Sequence, residues 1–316
     1  MKRFLIATWL LMSGIANAQT FVRPLTIIVP TSTSTGGDII SRELAPRLSK
    51  SIGQPVVVEN RVGASGSIGI AAAAIAPPDG HTVLITPNTI TMLPALHKNL
   101  TWSVASDFRP IGKLAVLVLT LIVNPSLPAN SAADLIALAK ARPGKLNYAS
   151  PGNGTPQHLG FELLKQVAGI EVAHVPYKGS SGAITDLVSG QVQAGLFAVQ
   201  SILPLVKAGR IRILATVGEK RSPWTPDVPT LREAGLGDID MDAGLGALAP
   251  KNTPQDFANR LGLELANLLA NEEVKEALFL KGIIATPSGA DAMGKLLQDD
   301  LAKWQSVVKR AGIAAD

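Results

Sequence analysis

The chain has 316 residues, no cysteine, a formal charge of +5 and an aromatic content of 4%. Without thiols there can be no cysteine nucleophile and no thiolate metal site. The bases are scattered, with no run longer than Lys220-Arg221, and so few aromatic residues argue against nucleic-acid binding.

At the N-terminus, Lys2 and Arg3 precede an apolar run from Phe4 to Met12, and Ala16-Asn17-Ala18 stands before Gln19. This is the pattern of a secretory signal peptide, residues 1–18, cleaved after Ala18. The run falls short of the roughly 20 apolar residues that a membrane anchor requires. No cysteine follows to carry a lipid. Cleavage removes Lys2 and Arg3 and leaves a charge of +3. The remaining length is enough for two α/β domains.

Short apolar runs then alternate with helical ones. Strands are expected at Leu25–Val29, Val56–Val58, Thr82–Ile85, Leu146–Ala149, Val172–Val175, Ala194–Val199 and Ile211–Val217. Helices are expected around Ile39–Lys50, Ile68–Ala76, Ala132–Ala141, Leu159–Val167 and Ala183–Val188. Such alternation predicts parallel sheets covered on both faces. Leu114–Val123 is a near-continuous apolar run that reads as one buried strand. Asn124-Pro125-Ser126-Leu127-Pro128 stops it, and a second irregular stretch spans Arg221–Asp242. A chain leaving a first domain near Asn124 and returning near Asp242 gives residues 19–123 with 243–316 as one domain and 124–242 as the other. From Pro254 to Ala311 the pattern is helical, with starts at Thr253 or Pro254 and at Ser288.

The loops after the strands carry the chemistry. In open α/β sheets ligands bind outside the carboxyl ends of the strands. Pro30–Asp38, including Ser34, Thr35, Gly36, Gly37 and Asp38, follows the first strand and precedes a helix. Thr86, Pro87, Asn88 and Thr89 stand in the same relation to the third. The most informative run is Asn147–Gln193, which reads strand, glycine loop, helix, twice over. Ser150 ends a strand; Gly152, Asn153 and Gly154 form the turn; Thr155 is placed as the N-cap, with His158 in the first turn after it. Gly179 breaks the next strand, and Ser180 or Ser181 is placed as the following cap. Paired helix N-termini offer free N–H groups and positive dipole ends to a carboxylate or phosphate. Ordinary βα connections use the same residues.

Other chemistry fails on spacing or context. Gly63-Ala64-Ser65-Gly66-Ser67 misses the last glycine of a nucleophile elbow. His81, His97, His158 and His174 form no i,i+4 pair for zinc, and His174 reads as a core residue. Gly244, Gly246 and Ala249 fit a loose dinucleotide pattern, but Pro250 follows where a helix should open. Asp238, Asp240 and Asp242 lack the glycine and the glutamate of a calcium loop. Asp38 and Arg42, four apart on one helix face, are expected to pair. No metal and no cofactor is expected. The profile is that of a binder.

Several segments together carry a resemblance: Asp38 with Arg42; Val58-Glu59-Asn60-Arg61 with Gly63-Ala64; Pro77-Pro78-Asp79-Gly80; Val123–Pro128; Tyr148–His158; His174-Val175-Pro176-Tyr177-Lys178-Gly179; and Asp227-Val228-Pro229-Thr230. In this order and over the whole mature chain, the sequence resembles the Bug-type periplasmic solute receptors of tripartite tricarboxylate transporters. The resemblance implies an α/β, two-domain periplasmic-binding-protein fold (a Venus flytrap of type II with two crossovers) that closes on a small carboxylate. It implies membrane subunits of such a transporter as partners. Carried onto this chain, it places contacts at Ser34–Asp38, Thr86–Thr89, Ser150–Thr155 with His158, and Gly179-Ser180. The family usually has two glycines where Ser34 and Thr35 stand, often an aspartate where Ala198 stands, and a Trp-aromatic-Gly where this chain has Gly244-Leu245-Gly246. With Ala198 in that place, a carboxylate without an amino group is expected. Two other readings stay open: a periplasmic hydrolase or lyase on the same scaffold, and an orphan receptor that signals to a sensor.

Overall fold

The computed structural model describes residues 21–313 apart from 238, 240 and 242. The expected signal peptide with its cleavage site, and the acidic positions Asp238, Asp240 and Asp242, lie outside the described residues.

The chain begins with β1 (Leu25–Val29), α1 (Gly36–Ile52), β2 (Val56–Asn60) and α2 (Ser67–Ala74), the last preceded by a single 3-10 turn at Ala64–Gly66. There follow β3 (Thr82–Pro87), α3 (Thr89–Leu96), α4 (Val104–Asp107) and β4 (Phe108–Leu117). The middle comprises β5 (Leu119–Val123), α5 (Ala132–Ala141), β6 (Asn147–Ser150), α6 (Pro156–Ala168), β7 (Ala173–Pro176), α7 (Ser180–Ser189), β8 (Ala194–Ala198), α8 (Val199–Lys207) and β9 (Arg212–Thr216). The last part is β10 (Ala243–Pro250), α9 (Gln255–Ala270), α10 (Glu272–Leu280), β11 (Ile283–Ser288) and α11 (Ala290–Ala311).

Two sheets result, each the centre of a lobe. The first has the order β11-β4-β10-β3-β1-β2 and the second β7-β6-β8-β5-β9. β1 is apolar along most of its length because helices cover both of its faces. α1 buries Ile40, Leu44, Leu48 and Ile52 at helical spacing and ends at Gly53, whose φ of +71° makes the left-handed stop. α5 opens with a reciprocal capping box between Ser131 and Asp134.

Four expectations are corrected. The sheets are mixed, because β4, β10 and β11 pair antiparallel in the first and β5 runs antiparallel to both its neighbours in the second. Leu114–Val123 is not one strand. It breaks at Val118, whose carbonyl accepts from Val199 N at 2.9 Å, so Leu117 belongs to the first sheet and Leu119 to the second. The first crossing therefore lies at Val118 and not at Asn124, whose amide instead donates to Leu187 O at 2.8 Å and shapes the turn after β5. The C-terminal helical pattern is interrupted by β11, and Gly244-Leu245-Gly246 lies within strand β10. Two expected caps also differ. Gly179 precedes α7 with no side-chain cap bond, and Gly289 precedes α11.

This topology fixes where a ligand can sit. The parallel strands β1 to β3 deliver the N-termini of α1, α2 and α3 to one side of the gap between the lobes. β6, β7 and β8 deliver those of α6, α7 and α8 to the other.

Candidate functional site

A cleft of about 1000 Å³ runs between the lobes. On the first lobe, the β1–α1 loop is held by its own hydroxyls. Thr35 Oγ1 donates to Ser32 O at 2.7 Å and lies 2.7 Å from Thr31 Oγ1. Behind it, Asp38 accepts from Ser34 N at 2.9 Å and from Arg42 Nε at 2.8 Å, and Arg42 reaches on to Asn60, which donates to Thr31 O at 3.0 Å. Thr35 makes no side-chain cap bond, so the first N–H groups of α1 keep their donors for the cleft. Gly36 packs closely there: a Cβ would stand 2.6 Å from Leu117 Cδ1, and the Leu117 side chain would have to shift to admit it.

On the second lobe, Thr155 caps α6 as expected, accepting from His158 N at 3.3 Å and donating to Gly152 O at 2.8 Å. Gly154 N donates to His158 Nδ1 at 3.1 Å. Gly179 N donates to Pro151 O at 2.9 Å and ties the second loop to the first. Beneath them the rings of Phe161, Tyr148, His174 and His158 stack in that order, with centroids 3.9, 4.7 and 4.1 Å apart. Burial holds both imidazoles neutral, lowering His158 to about 4 and His174 to about 3.

Ser150 Oγ lies 2.7 Å from His174 Nε2. The pair does not make a nucleophile: Ser150 is fully buried and away from the cleft lining, and a histidine of so low a pKa is a poor base near neutrality.

Of the residues expected at the site, Thr35, Gly36, Gly37, Thr89, Gly152, Asn153, Thr155, Gly179, Ser180 and Ala198 line the cleft. Ser34 and Asp38 stand behind the first loop and shape it. Ser150, Gly154 and His158 stand behind the second. Thr86 and Asn88 line a smaller cavity of about 220 Å³ on the α11 side of β10. Sequence reasoning missed the segment Val62–Ser67 and the start of α8. Ala64 and Ser65 have φ of +44° and +54°, and with Ser34 at +63° they are the described non-glycine residues in that region. Such strain gathers at functional loops. Gln200 lines the cleft, and its Oε1 is buried without a protein partner. Among the described lining residues there is no aspartate or glutamate, and Lys178 carries a formal charge.

Comparison with known proteins agrees with this geometry. The family described as "Tripartite tricarboxylate transporter family receptor" matches residues 40–313. A Pseudomonas protein described as "UPF0065 protein in tcbD-tcbE intergenic region" is 36% identical over 287 residues, 90% of this chain and 85% of that protein. Protein BugT of Bordetella pertussis is 33% identical, covering 97% of this chain and 96% of its own. Among solved structures, an R. palustris protein with adipate has a TM-score of 0.88 at 34% identity, covering 93% of this chain and 98% of its own. MatC from Rhodopseudomonas palustris with bound malate has a TM-score of 0.84 at 27% identity, covering 91% and 99%. The chain belongs to the receptor family of tripartite tricarboxylate transporters.

Proposed function

We propose that this chain is an exported solute receptor that captures a small carboxylate between its lobes and delivers it to the membrane subunits of a tripartite tricarboxylate-type transporter. The observation that carries this reading is the convergence of helix N-termini from both lobes on a cleft lined by hydroxyls and glycines, with no acidic side chain among the described lining residues. An anion gains contacts from both walls only when the lobes close, so binding and closure are one equilibrium. In this reading Thr35–Gly37, Thr89, Gly152, Asn153, Thr155 and Gly179-Ser180 contact the ligand. Ser34, Asp38, Thr86, Asn88, Ser150 and His158 act by shaping the loops. The second domain is the stretch from Leu119 to Asp242, and residues 1–18 are removed on export to the periplasm. A zwitterionic amino acid would find no acidic partner for its ammonium among the described lining residues, so an acid without an amino group fits better.

The protein acts by binding and not as an enzyme. Mass spectrometry of small molecules released by denaturing the periplasmic protein, followed by calorimetric titration, tests this. A carboxylate should be released and should rebind. Release of an amino acid or a cation, with no carboxylate bound on titration, would refute it.

A further inference from the structure

The cleft floor differs in chemistry from its walls. Leu117 and Leu119 flank Val118, where the chain leaves the first lobe. Leu119 pairs with Ala198 in the second sheet, and Leu117 pairs with Ala243 in the first. Leu245 follows Ala243 on the same face of β10. All five line the cleft, are contiguous by register, and carry no polar side-chain atom. Hydroxyls, amides and free helix N–H groups stand on the walls at the tips of the βα loops, and at the edge of the floor, where Ala198 precedes α8 and Gln200 and Ser201 line the cleft.

We propose that the cleft selects carboxylates bearing an extended apolar body, an alkyl chain or an aromatic ring, over short hydroxylated acids. The inference rests on the carboxylate reading above and adds what the rest of the ligand must be. A carboxylate at the wall finds N–H donors. Hydrocarbon laid on the floor leaves water at no polar cost. A hydroxyl or a further carboxylate laid on these five side chains gives up its hydration and finds no partner among them. Size agrees: about 1000 Å³ stands at the upper end of the range of roughly 300–1,000 Å³ that holds drug-sized ligands, and a four-carbon diacid would leave most of it to water. Ala198 and Leu245 are the specificity-determining residues, one from each lobe.

The test is calorimetric titration of the ligand-stripped mature protein with butyrate, hexanoate, octanoate and benzoate, set against malate and citrate. Affinity should rise about fourfold for each methylene that reaches the floor. Octanoate and benzoate should bind at least about tenfold more tightly than malate. Ala198→Asp should weaken octanoate by about tenfold or more, and Ala198→Val should move the optimum to shorter chains. The wild-type series decides the matter even where a variant fails to fold. Tighter binding of malate or citrate than of every apolar acid, or affinity independent of chain length, overturns the apolar-floor inference and leaves the carboxylate reading in place. If no acid of either kind binds, the carboxylate reading itself fails, and this inference with it.

Discussion

Ser65 of the first lobe and Gly152 of the second face each other across the cleft: a Cβ on Gly152 would lie 2.7 Å from Ser65 Oγ, and Gly152 itself has φ of +143°. Two costs follow from one substitution. Gly152→Ala strains the backbone by about 1–2 kcal/mol and blocks the approach of the lobes. Ligand affinity should fall about tenfold or more. Adding Ser65→Gly should restore the part due to contact and leave the backbone part. A double-mutant cycle by calorimetry separates them, and zero coupling would show that the two residues do not meet in the bound state.

Acid should unfold the protein through its histidines first. Unfolded histidine titrates near 6.5, whereas burial lowers His158 to about 4 and His174 to about 3. The unfolded chain therefore takes up protons first. Stability is full above about pH 6.5 and is lost as pH falls from there toward the folded values, by roughly 1.4 kcal/mol per pH unit for each histidine. Between about pH 5 and 6.5, above the carboxylate range, His158→Gln should halve the slope of stability against pH. Urea midpoints across that window measure it, and an unchanged slope would contradict the assignment.

Asp38 should matter to folding more than its ion pair implies. Its side chain is 5% exposed and accepts from both Ser34 N and Arg42, whose side chain is 53% exposed. Asp38→Ala should cost about 1–3 kcal/mol by leaving a loop N–H unpaired, whereas Arg42→Ala should cost less than about 1 kcal/mol. Chemical denaturation compares the two. Equal losses would mean that the ion pair, and not the loop, is what Asp38 serves.

Ser34→Gly should stabilise the chain. Ser34 has φ of +63°, a region that costs a side chain about 1–2 kcal/mol and glycine almost nothing. A gain of about 1 kcal/mol in unfolding free energy is expected. A loss would show that the serine side chain stabilises the loop by more than the strain it bears.

Trp224 should report closure. Its indole N–H donates to Phe279 O at 3.0 Å, and its ring lies 4.8 Å from that of Phe279, a contact between the second-lobe loop after β9 and α10 of the first lobe. Ligand should change the intrinsic fluorescence of the wild type and change that of Trp224→Phe much less. An equal response in both would place the signal at Trp102 or Trp304 instead.

The alternation of strand and helix was legible because each short apolar run is bounded by glycine, proline or small polar residues, and Thr155 was legible as a cap from its place before Pro156. The crossing at Val118 was not. Leu117 and Leu119 are both buried, in different sheets, so nothing in the apolar run marks the change. β10 was hidden because its glycines suit a loop as well as a strand; Gly246 packs closely on Met293, whose Cε would have to move from 2.2 Å to admit a Cβ there. The cleft segment Val62–Ser67 was met only as a failed nucleophile elbow. Its place follows from positive φ at Ala64 and Ser65, which neither residue type announces. The glycines that the family usually has at positions 34 and 35 did point to the altered loop, and the φ of Ser34 gives the physical reason for one of them.

The position of β10 bears on the order in which the molecule assembles. β10, residues 243–250, lies between β3 and β4, whereas the second sheet is complete between Leu119 and Thr216. A chain emerging N-terminus first can therefore finish its inserted lobe while β3 and β4 still lack the strand that joins them. Pairing across so long a separation in sequence is slow. During that interval β3 and β4 each show an open edge, a template for any strand that arrives early. The lobe that begins the polypeptide is the last to close.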